Sequence, residues 1–129
     1  MYDSIPEEAE LLATKVLDAA FQVHRQLGPG LLESVYEHCL CHELRKKQVL
    51  FDSQLALPIH YDGEKIEGGL RLDLLVGNMV VVELKAVDML LPIHEAQLFT
   101  YLKLTNNRLG FLINFNVTLL KNGIKRVVK

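Results

Sequence analysis

Three charged residues interrupt two stretches of this chain that are otherwise apolar. Residues 79–86, MVVVELKA, place Glu83 and Lys85 at the end of an apolar run, and residues 71–76, RLDLLV, place Asp73 among leucines. Apolar runs of this kind are typical of strands that are buried on both faces. Burying an unpaired charge is costly. The pattern therefore indicates that the three charges pair with one another or bind a metal ion.

The loop between these two strands decides whether the two carboxylates meet. A three-residue loop at 77–79 would set Val76 opposite Val80 and Asp73 opposite Glu83, with both carboxylates on one face of the sheet. A two-residue loop would send the carboxylates to opposite faces. The sequence permits both registers. We adopt the three-residue loop because it gives the buried charges a common solution.

Two carboxylates and a lysine on one face of a sheet suit the hydrolysis of phosphodiester bonds. Glu83 and Lys85 are two residues apart on a strand, so their side chains point to the same face. Carboxylate oxygens, a backbone carbonyl and waters can bind Mg²⁺ or Mn²⁺, and such an ion lowers the pKa of a bound water. A lysine beside it can orient that water or stabilise charge on the phosphate. A buried Asp–Lys–Glu ion network without any chemistry would produce the same spacing.

A fourth acidic residue, Glu33, begins an apolar stripe in the segment GLLESVYEHCL. On a helix with about 100° per residue, Glu33, Tyr36, Leu40 and Leu44 lie on one face. A glutamate at the top of such a stripe needs a partner, and we expect its carboxylate to point toward the charges around Asp73. The alternative is an exposed glutamate that is favoured at a helix start by the macrodipole.

These segments resemble motifs of the PD-(D/E)XK nuclease superfamily. RLDLLVGNMVVVELKA is similar to its core motif, an acid followed by a spacer and then E-x-K. GLLESVY resembles the signature of the bacterial GxxExxY family within that superfamily, and AQLFTYLK is similar to the QxxxY motif of exonuclease-type members. The resemblance extends over nearly the whole chain. One departure is that Leu72, and not the proline that names the superfamily, precedes Asp73.

The resemblance implies a role for each matching residue. A Mg²⁺ or Mn²⁺ ion would be held by three carboxylates and one backbone carbonyl, those of Asp73, Glu83, Glu33 and Leu84 respectively. Lys85 would position or activate the attacking water, so that the catalytic set is Asp73, Glu83, Lys85 and Glu33. Three further residues would line the site and contact nucleic acid: Gln97, Tyr101 and Tyr36.

The elements that must position these residues follow from hydrophobic periodicity and turn residues. Helices are expected over residues 7–27, about 31–47 and 92–107. Strands are expected over residues 49–69, which include a turn at DGE, and over 70–76, 79–86, 108–115 and 123–129. The order α-α-β-β-β-α-β-β predicts an α/β fold with a central mixed sheet that is flanked by helices. The resemblance makes this fold restriction-endonuclease-like.

Composition bounds the class of protein. The chain has 129 residues, 50% of them hydrophobic and 23% charged, which fits a single globular domain, residues 1–129. A net charge of −2 argues against indiscriminate coating of nucleic acid. No apolar run is long enough to span a bilayer, and the acidic N-terminus lacks the features of a signal peptide. With only two cysteines, a cytoplasmic location is expected.

One segment resembles a zinc-binding motif but lacks the spacing of one. The segment EHCLCHE, residues 37–43, contains two cysteines that point about 200° apart on a helix and cannot share one ion. His38 and His42 are spaced to share one, but the paired Cys-x₂-Cys spacing of zinc sites is absent. We expect no zinc site here.

The predicted function is that of a Mg²⁺- or Mn²⁺-dependent nuclease that hydrolyses DNA or RNA through a metal-activated water. The expected partners are nucleic acid and either a protein that delivers the substrate or a second copy of the chain, with no membrane. The alternative is a non-catalytic domain of the same fold that acts as a binding or scaffold protein. The intact set of Asp73, Glu83 and Lys85 favours the enzyme, whereas the near-neutral charge favours the alternative.

Overall fold

The computed structural model describes residues 4–129, which form three α-helices, a short 3-10 helix and five strands. The elements in chain order are α1 (Glu7–Leu27), α2 (Glu33–Lys46), β1 (Phe51–Tyr61), β2 (Glu64–Val76), β3 (Val80–Lys85), α3 (Pro92–Thr105), β4 (Leu109–Asn114), the 3-10 helix (Leu120–Gly123) and β5 (Ile124–Val128). The predicted order of helices and strands is confirmed. Across the described residues, no helix combines the length and the apolar character that crossing a membrane requires.

One mixed sheet contains all five strands, in the spatial order β1-β2-β3-β4-β5. Every neighbouring pair is antiparallel except β3 and β4, which are parallel. The parallel pair needs a crossover connection, and α3 supplies it. The carboxyl ends of β3 and β4 consequently lie at the same edge, where Lys85 stands opposite Asn114.

Helices cover both faces of the sheet, as predicted. On one face α1 and α2 pack against alternate residues of β2 and β3, such as Leu74 and Val82, in the larger hydrophobic cluster. On the other face α3 packs against the intervening residues, such as Leu75 and Val81, in the smaller cluster. β3 and β4 are buried on both faces, which explains why their sequences lack the alternation of a half-exposed strand.

The hairpin between β2 and β3 has the predicted register. Val76 pairs with Val80, and residues 77–79 form the three-residue loop. Gly77 and Asn78 both have a φ of 58°, a left-handed conformation that glycine and asparagine adopt most readily. The loop therefore directs Asp73 and Glu83 toward each other, as the choice of register required.

The hairpin between β1 and β2 is longer than predicted. The chain turns at Asp62 and Gly63, and β2 then runs without interruption from Glu64 to Val76. The prediction that residues 64–69 belong with the first strand was therefore wrong. The pair Gly68-Gly69 suggested a break, but it falls where the register between the strands shifts. Such irregularities in a ladder commonly contain glycine.

Candidate active site where β2 and β3 separate

The backbone ladder between β2 and β3 ends just before the two buried carboxylates. Its last pair is Leu74 with Val82. Beyond that pair, side chains replace the backbone carbonyls as acceptors. The N–H of Asp73 donates to Oε1 of Glu83 at 2.8 Å, and the N–H of Leu84 donates to Oδ2 of Asp73 at 2.8 Å. The two strands are thus joined at this end by two carboxylates.

Both strands of the β1–β2 hairpin change face at this point. Leu74 packs in the cluster under α1 and α2, whereas Leu72 packs in the cluster under α3. A regular pleat would put these two residues on one face. In β1, Phe51 and Leu55 are divided between the two clusters in the same way. This change of face places Asp73 in the gap between neighbouring strands.

Desolvation and like charge dominate the electrostatics of the pair. Glu83 is 4% exposed and Asp73 is 8% exposed. Burial, and then the negative charge of Asp73, raises the pKa of Glu83 to about 8. The positive charge of Lys85 opposes this shift, but no ion pair within 4.0 Å joins Lys85 to an acid anywhere in residues 4–129. Lys85 therefore compensates the two carboxylates only in part.

The backbone of β3 turns a carbonyl toward the same gap. Successive residues of a strand direct their N–H and C=O groups to opposite neighbours. The Lys85 carbonyl accepts a hydrogen bond from the N–H of Phe115, on the side of β4. The N–H of Leu84 faces Asp73, on the side of β2. The carbonyl of Leu84 consequently faces the space beside the carboxylates, where a backbone ligand is expected.

Helix α2 brings two glutamates to the edge of the pair. Glu33 is the first residue of α2. Most of its surface is exposed, but its carboxyl group is partly desolvated. This desolvation, and then the charge of Asp73, raises the pKa of Glu33, while Lys85 opposes the rise. Glu37, one turn later, also has a raised pKa, first through burial. Glu33 therefore lies within electrostatic reach of Asp73 and Lys85, although it forms no hydrogen bond with them in the described chain.

Tyr36 occupies a different place from the one expected. Its side chain is fully buried and stacks on Phe115, with ring centroids 4.6 Å apart. Its hydroxyl donates to the carbonyl of Gly28 at 2.6 Å and accepts from the N–H of Leu31 at 3.1 Å. Tyr36 has no exposed surface with which to contact nucleic acid. It holds the loop before α2, and it thereby fixes where Glu33 begins that helix.

Helix α3 supplies the other side of the candidate site. Tyr101 is 2% exposed, and its hydroxyl donates to the carbonyl of Arg71 at 3.2 Å. Burial, followed by the negative charges of Glu83 and Asp73, raises the pKa of Tyr101 to about 12. Gln97, one turn earlier on α3, is half-buried. Tyr101 therefore lies beside the carboxylates with its proton retained.

Sequence reasoning missed two polar residues of this region. Gln54 in β1 donates to Glu37 and to Asp73. Asn114, at the end of β4, is 2% exposed, and its side chain accepts from the N–H of Val87 and donates to the carbonyl of Val87. Asn114 thus holds the loop that leaves the site after Lys85. The only available signal was a single polar residue at a strand end or within a strand, which is too common to single out.

The donor set fits a divalent cation. Two buried carboxylates and a backbone carbonyl are oxygen ligands of the kind that Mg²⁺ and Mn²⁺ take, and the incompletely compensated negative charge favours a cation. Each carboxylate uses one oxygen to accept a backbone N–H, which orients the other oxygen. Within the described part of the chain, no three acidic, histidine or cysteine side chains are gathered closely enough to form a metal cluster. Substrate or water oxygens would have to complete the shell.

The sequence matches one family model. A model described as the PD-(D/E)XK nuclease superfamily matches residues 10–127, nearly the whole chain. No curated protein and no solved structure matches the chain. The match covers both α2, which carries Glu33, and the strands that carry the carboxylate pair.

Proposed function

Because the chain belongs to the PD-(D/E)XK nuclease superfamily, we propose that it is a metal-dependent nuclease that hydrolyses phosphodiester bonds of DNA or RNA. The observation that carries this proposal is the pair of buried carboxylates of Asp73 and Glu83, joined across the end of the β2–β3 ladder. A sheet does not need two carboxylates at such a point, because backbone carbonyls would accept the same N–H groups at lower cost. Membership of the superfamily by itself supports a broader statement, that the function is of a nuclease type.

The proposed metal, Mg²⁺ or Mn²⁺, would be held by the carboxylates of Asp73 and Glu83 and by the Leu84 carbonyl, with water or substrate oxygens completing the shell. Glu33 would tune the charge of the shell from α2. When bound, it would supply a water of lowered pKa and a positive charge for the phosphate. Lys85 would orient the attacking water or stabilise charge on the phosphate. Its half-buried position on the strand that carries Glu83, without an ion-pair partner in the described residues, leaves its ammonium available for that purpose.

The remaining expectations belong to the same proposal. Gln97 and Tyr101 would line the site from α3. The half-buried Gln97 would contact nucleic acid, whereas Tyr101 is buried and would face the carboxylates. The segment with Gly30, Glu33 and Tyr36 supports membership of the GxxExxY family within the superfamily. We further propose one domain over residues 1–129, a cytoplasmic location, and a protein partner or a second copy of the chain that helps to deliver the substrate.

One observation supports the alternative, a non-catalytic scaffold of the same fold. The carboxylates already accept the backbone N–H groups that face them, and no buried side-chain nitrogen or oxygen in residues 4–129 lacks a hydrogen-bond partner. A structural role would therefore satisfy the polar atoms of the site without a metal. The nuclease remains the stronger proposal, because a structural role does not explain why two carboxyl groups are buried together at a cost that raises the pKa of one of them, Glu83, to about 8.

A two-stage experiment tests the proposal. Calorimetric titration with Mn²⁺ and Mg²⁺ first measures metal affinity. Labelled single- and double-stranded DNA and RNA are then incubated with the protein in the tighter-binding metal. The matched control is Asp73→Asn, which preserves side-chain size and removes the charge. Metal-dependent cleavage that is lost in Asp73→Asn supports the nuclease. Metal binding without cleavage of any of these nucleic acids would favour the scaffold.

A further inference from the structure

Gln54 links two acidic residues that come from different elements. Its side-chain nitrogen, Nε2, lies 2.6 Å from Oε1 of Glu37 on α2 and 3.2 Å from Oδ1 of Asp73 on β2. A primary amide has two N–H donors, so one side chain can serve both carboxylates at once. Gln54 is thus a neutral bridge between two negative charges, and neither the family motifs nor the sequence reasoning assigns it a role.

This bridge completes the immobilisation of Asp73. Oδ2 of Asp73 accepts from the Leu84 N–H on one side, and Oδ1 accepts from Gln54 on the other. The carboxylate is consequently held from both neighbouring strands, β3 and β1. A carboxylate with both oxygens hydrogen-bonded cannot rotate freely, so the lone pairs that remain have a fixed direction.

The backbone of Gln54 is unusual in a way that fits this role. Its φ is 51°, in the left-handed region, where a residue other than glycine is strained. Its neighbours Ser53 and Leu55 pair with Leu74 and Leu72, so Gln54 stands opposite Asp73 where β1 changes face. Ordinary alternation is interrupted at Gln54, and the side chain is directed toward α2 and β2.

We infer that Gln54 is a positioning residue that fixes the Asp73 carboxylate for metal binding and couples it to Glu37 on α2. This inference rests on the proposed function. Gln54 itself touches neither metal nor substrate. Residues that orient a metal ligand commonly change metal affinity by about 10- to 100-fold when they are removed. Because Gln54 is exposed and its bond to Asp73 is 3.2 Å long, we expect the lower end of that range.

Three substitutions separate the side chain from the backbone. Gln54→Ala removes the amide and keeps the left-handed strain. Gln54→Gly also removes the amide but relieves that strain, since glycine adopts positive φ freely. Gln54→Glu keeps the length of the side chain and replaces the donor with a third negative charge. Gln26→Ala, at an exposed glutamine of α1, is the matched control.

The measurement is the Mn²⁺ dissociation constant by calorimetry. We expect it to rise about tenfold in both Gln54→Ala and Gln54→Gly, to change at least as much in Gln54→Glu, and to stay unchanged in Gln26→Ala. Wild-type affinity in Gln54→Gly, with a loss in Gln54→Ala, would mean that only the backbone conformation matters, and it would overturn the inference. Wild-type affinity in all three variants would overturn it as well and leave the proposed nuclease standing.

A metal-free measurement keeps the two proposals distinguishable. The hydrogen bond from Gln54 lowers the pKa of Glu37, against the larger effect of burial. The carboxyl resonance of Glu37, followed by NMR, should therefore titrate at higher pH in Gln54→Gly than in the wild type. The chemical shift of the Asp73 carboxyl carbon should also change, because its Oδ1 loses a hydrogen-bond donor. If the wild type binds no metal while these resonances move, the metal-dependent function fails and the bridge stands. If neither resonance moves, the bridge itself is refuted.

Discussion

The backbone N–H of Asp73 donates a 2.8 Å hydrogen bond to the carboxylate of Glu83, so the residue that carries one buried charge also holds the other. The Asp73 carboxylate in turn accepts from the residue that follows Glu83. This crossed arrangement keeps two like charges side by side in the interior. Uptake of a proton and binding of a cation are two alternative ways to relieve the same repulsion.

The metal-free protein should lose stability as the pH rises from the pKa of Glu83 in the unfolded chain to its higher pKa in the folded chain. Burial, and then the charge of Asp73, raises this pKa from 4.5 to about 8 in the folded state. In that interval the folded chain binds more protons than the unfolded chain, so the free energy of unfolding decreases with rising pH and levels off above about pH 8. Thermal melts in EDTA across this range measure the effect.

Two variants identify the residue responsible. Glu83→Gln preserves the acceptor for the Asp73 N–H and removes the titrating group, so its melting temperature should depend less on pH. Asp52→Asn, at an exposed position of β1, should keep the wild-type profile. A wild-type melting temperature that is constant over this pH interval would show that the pKa of Glu83 is not raised in the folded state.

Asp73→Asn should stabilise the metal-free protein and abolish the proposed metal-dependent cleavage. At pH 8 the neutral amide removes the repulsion with Glu83, which is worth on the order of 1 kcal/mol of stability. Its oxygen still accepts from the Leu84 N–H, and its N–H₂ group faces Gln54, whose exposed side chain can turn its own amide oxygen inward. The same change removes a proposed metal ligand, so added Mg²⁺ should no longer raise the melting temperature. Melts with and without Mg²⁺ test both effects. A destabilised Asp73→Asn that still responds to Mg²⁺ would exclude Asp73 as a ligand.

Much of the fold was predictable because burial leaves a direct mark on the sequence. The apolar runs of β3 and β4 indicate strands covered on both faces. Helical periodicity located α1 and α2, and Pro92 marked the start of α3. The extent of β2 was not predictable, because Gly68-Gly69 is as typical of a turn as of the irregular pairing in which it lies.

The candidate site was predictable only where local geometry decides it. The spacing of Glu83 and Lys85 and the three-residue loop at 77–79 determine which side chains meet Asp73. The contacts of Gln54 depend on the change of face in β1, and the burial of Tyr36 depends on its stacking on Phe115. Both features arise from packing between elements that are distant in sequence. No periodicity within one element reports such contacts.

Tyr36→Phe should weaken the loop before α2. The ring would keep its stacking on Phe115, but the carbonyl of Gly28 would lose its donor and the N–H of Leu31 its acceptor. Loss of such partly buried partners costs about 1–3 kcal/mol, and denaturant unfolding measures it. If the loop fixes Glu33, metal affinity should fall as well. Tyr61→Phe, at a tyrosine that is 71% exposed, is the control and should change neither quantity. Unchanged stability in Tyr36→Phe would show that the hydroxyl does not hold the loop.

Lys85→Ala separates the enzyme from the scaffold. If Lys85 acts on the reacting water or phosphate, its removal should reduce cleavage by about 10²–10³-fold. Metal affinity should be unchanged or slightly tighter, because an ammonium is not a ligand and its charge opposes the cation. Stability should change by less than about 1 kcal/mol, since Lys85 forms no ion pair within 4.0 Å in the described chain.

The scaffold predicts a different set of effects for the same variant. If Lys85 serves only to neutralise Asp73 and Glu83, its loss strands two buried carboxylates, and stability should fall by about 3–5 kcal/mol. Added Mg²⁺ should then restore part of that stability by replacing the missing positive charge. Melting curves and cleavage assays on one preparation, each with and without Mg²⁺, distinguish the two cases, and Lys121→Ala at an exposed lysine is the control. A large loss of stability, together with no cleavage by the wild type on any nucleic acid, would decide for the scaffold, because the charge of Lys85 would then act on the fold alone.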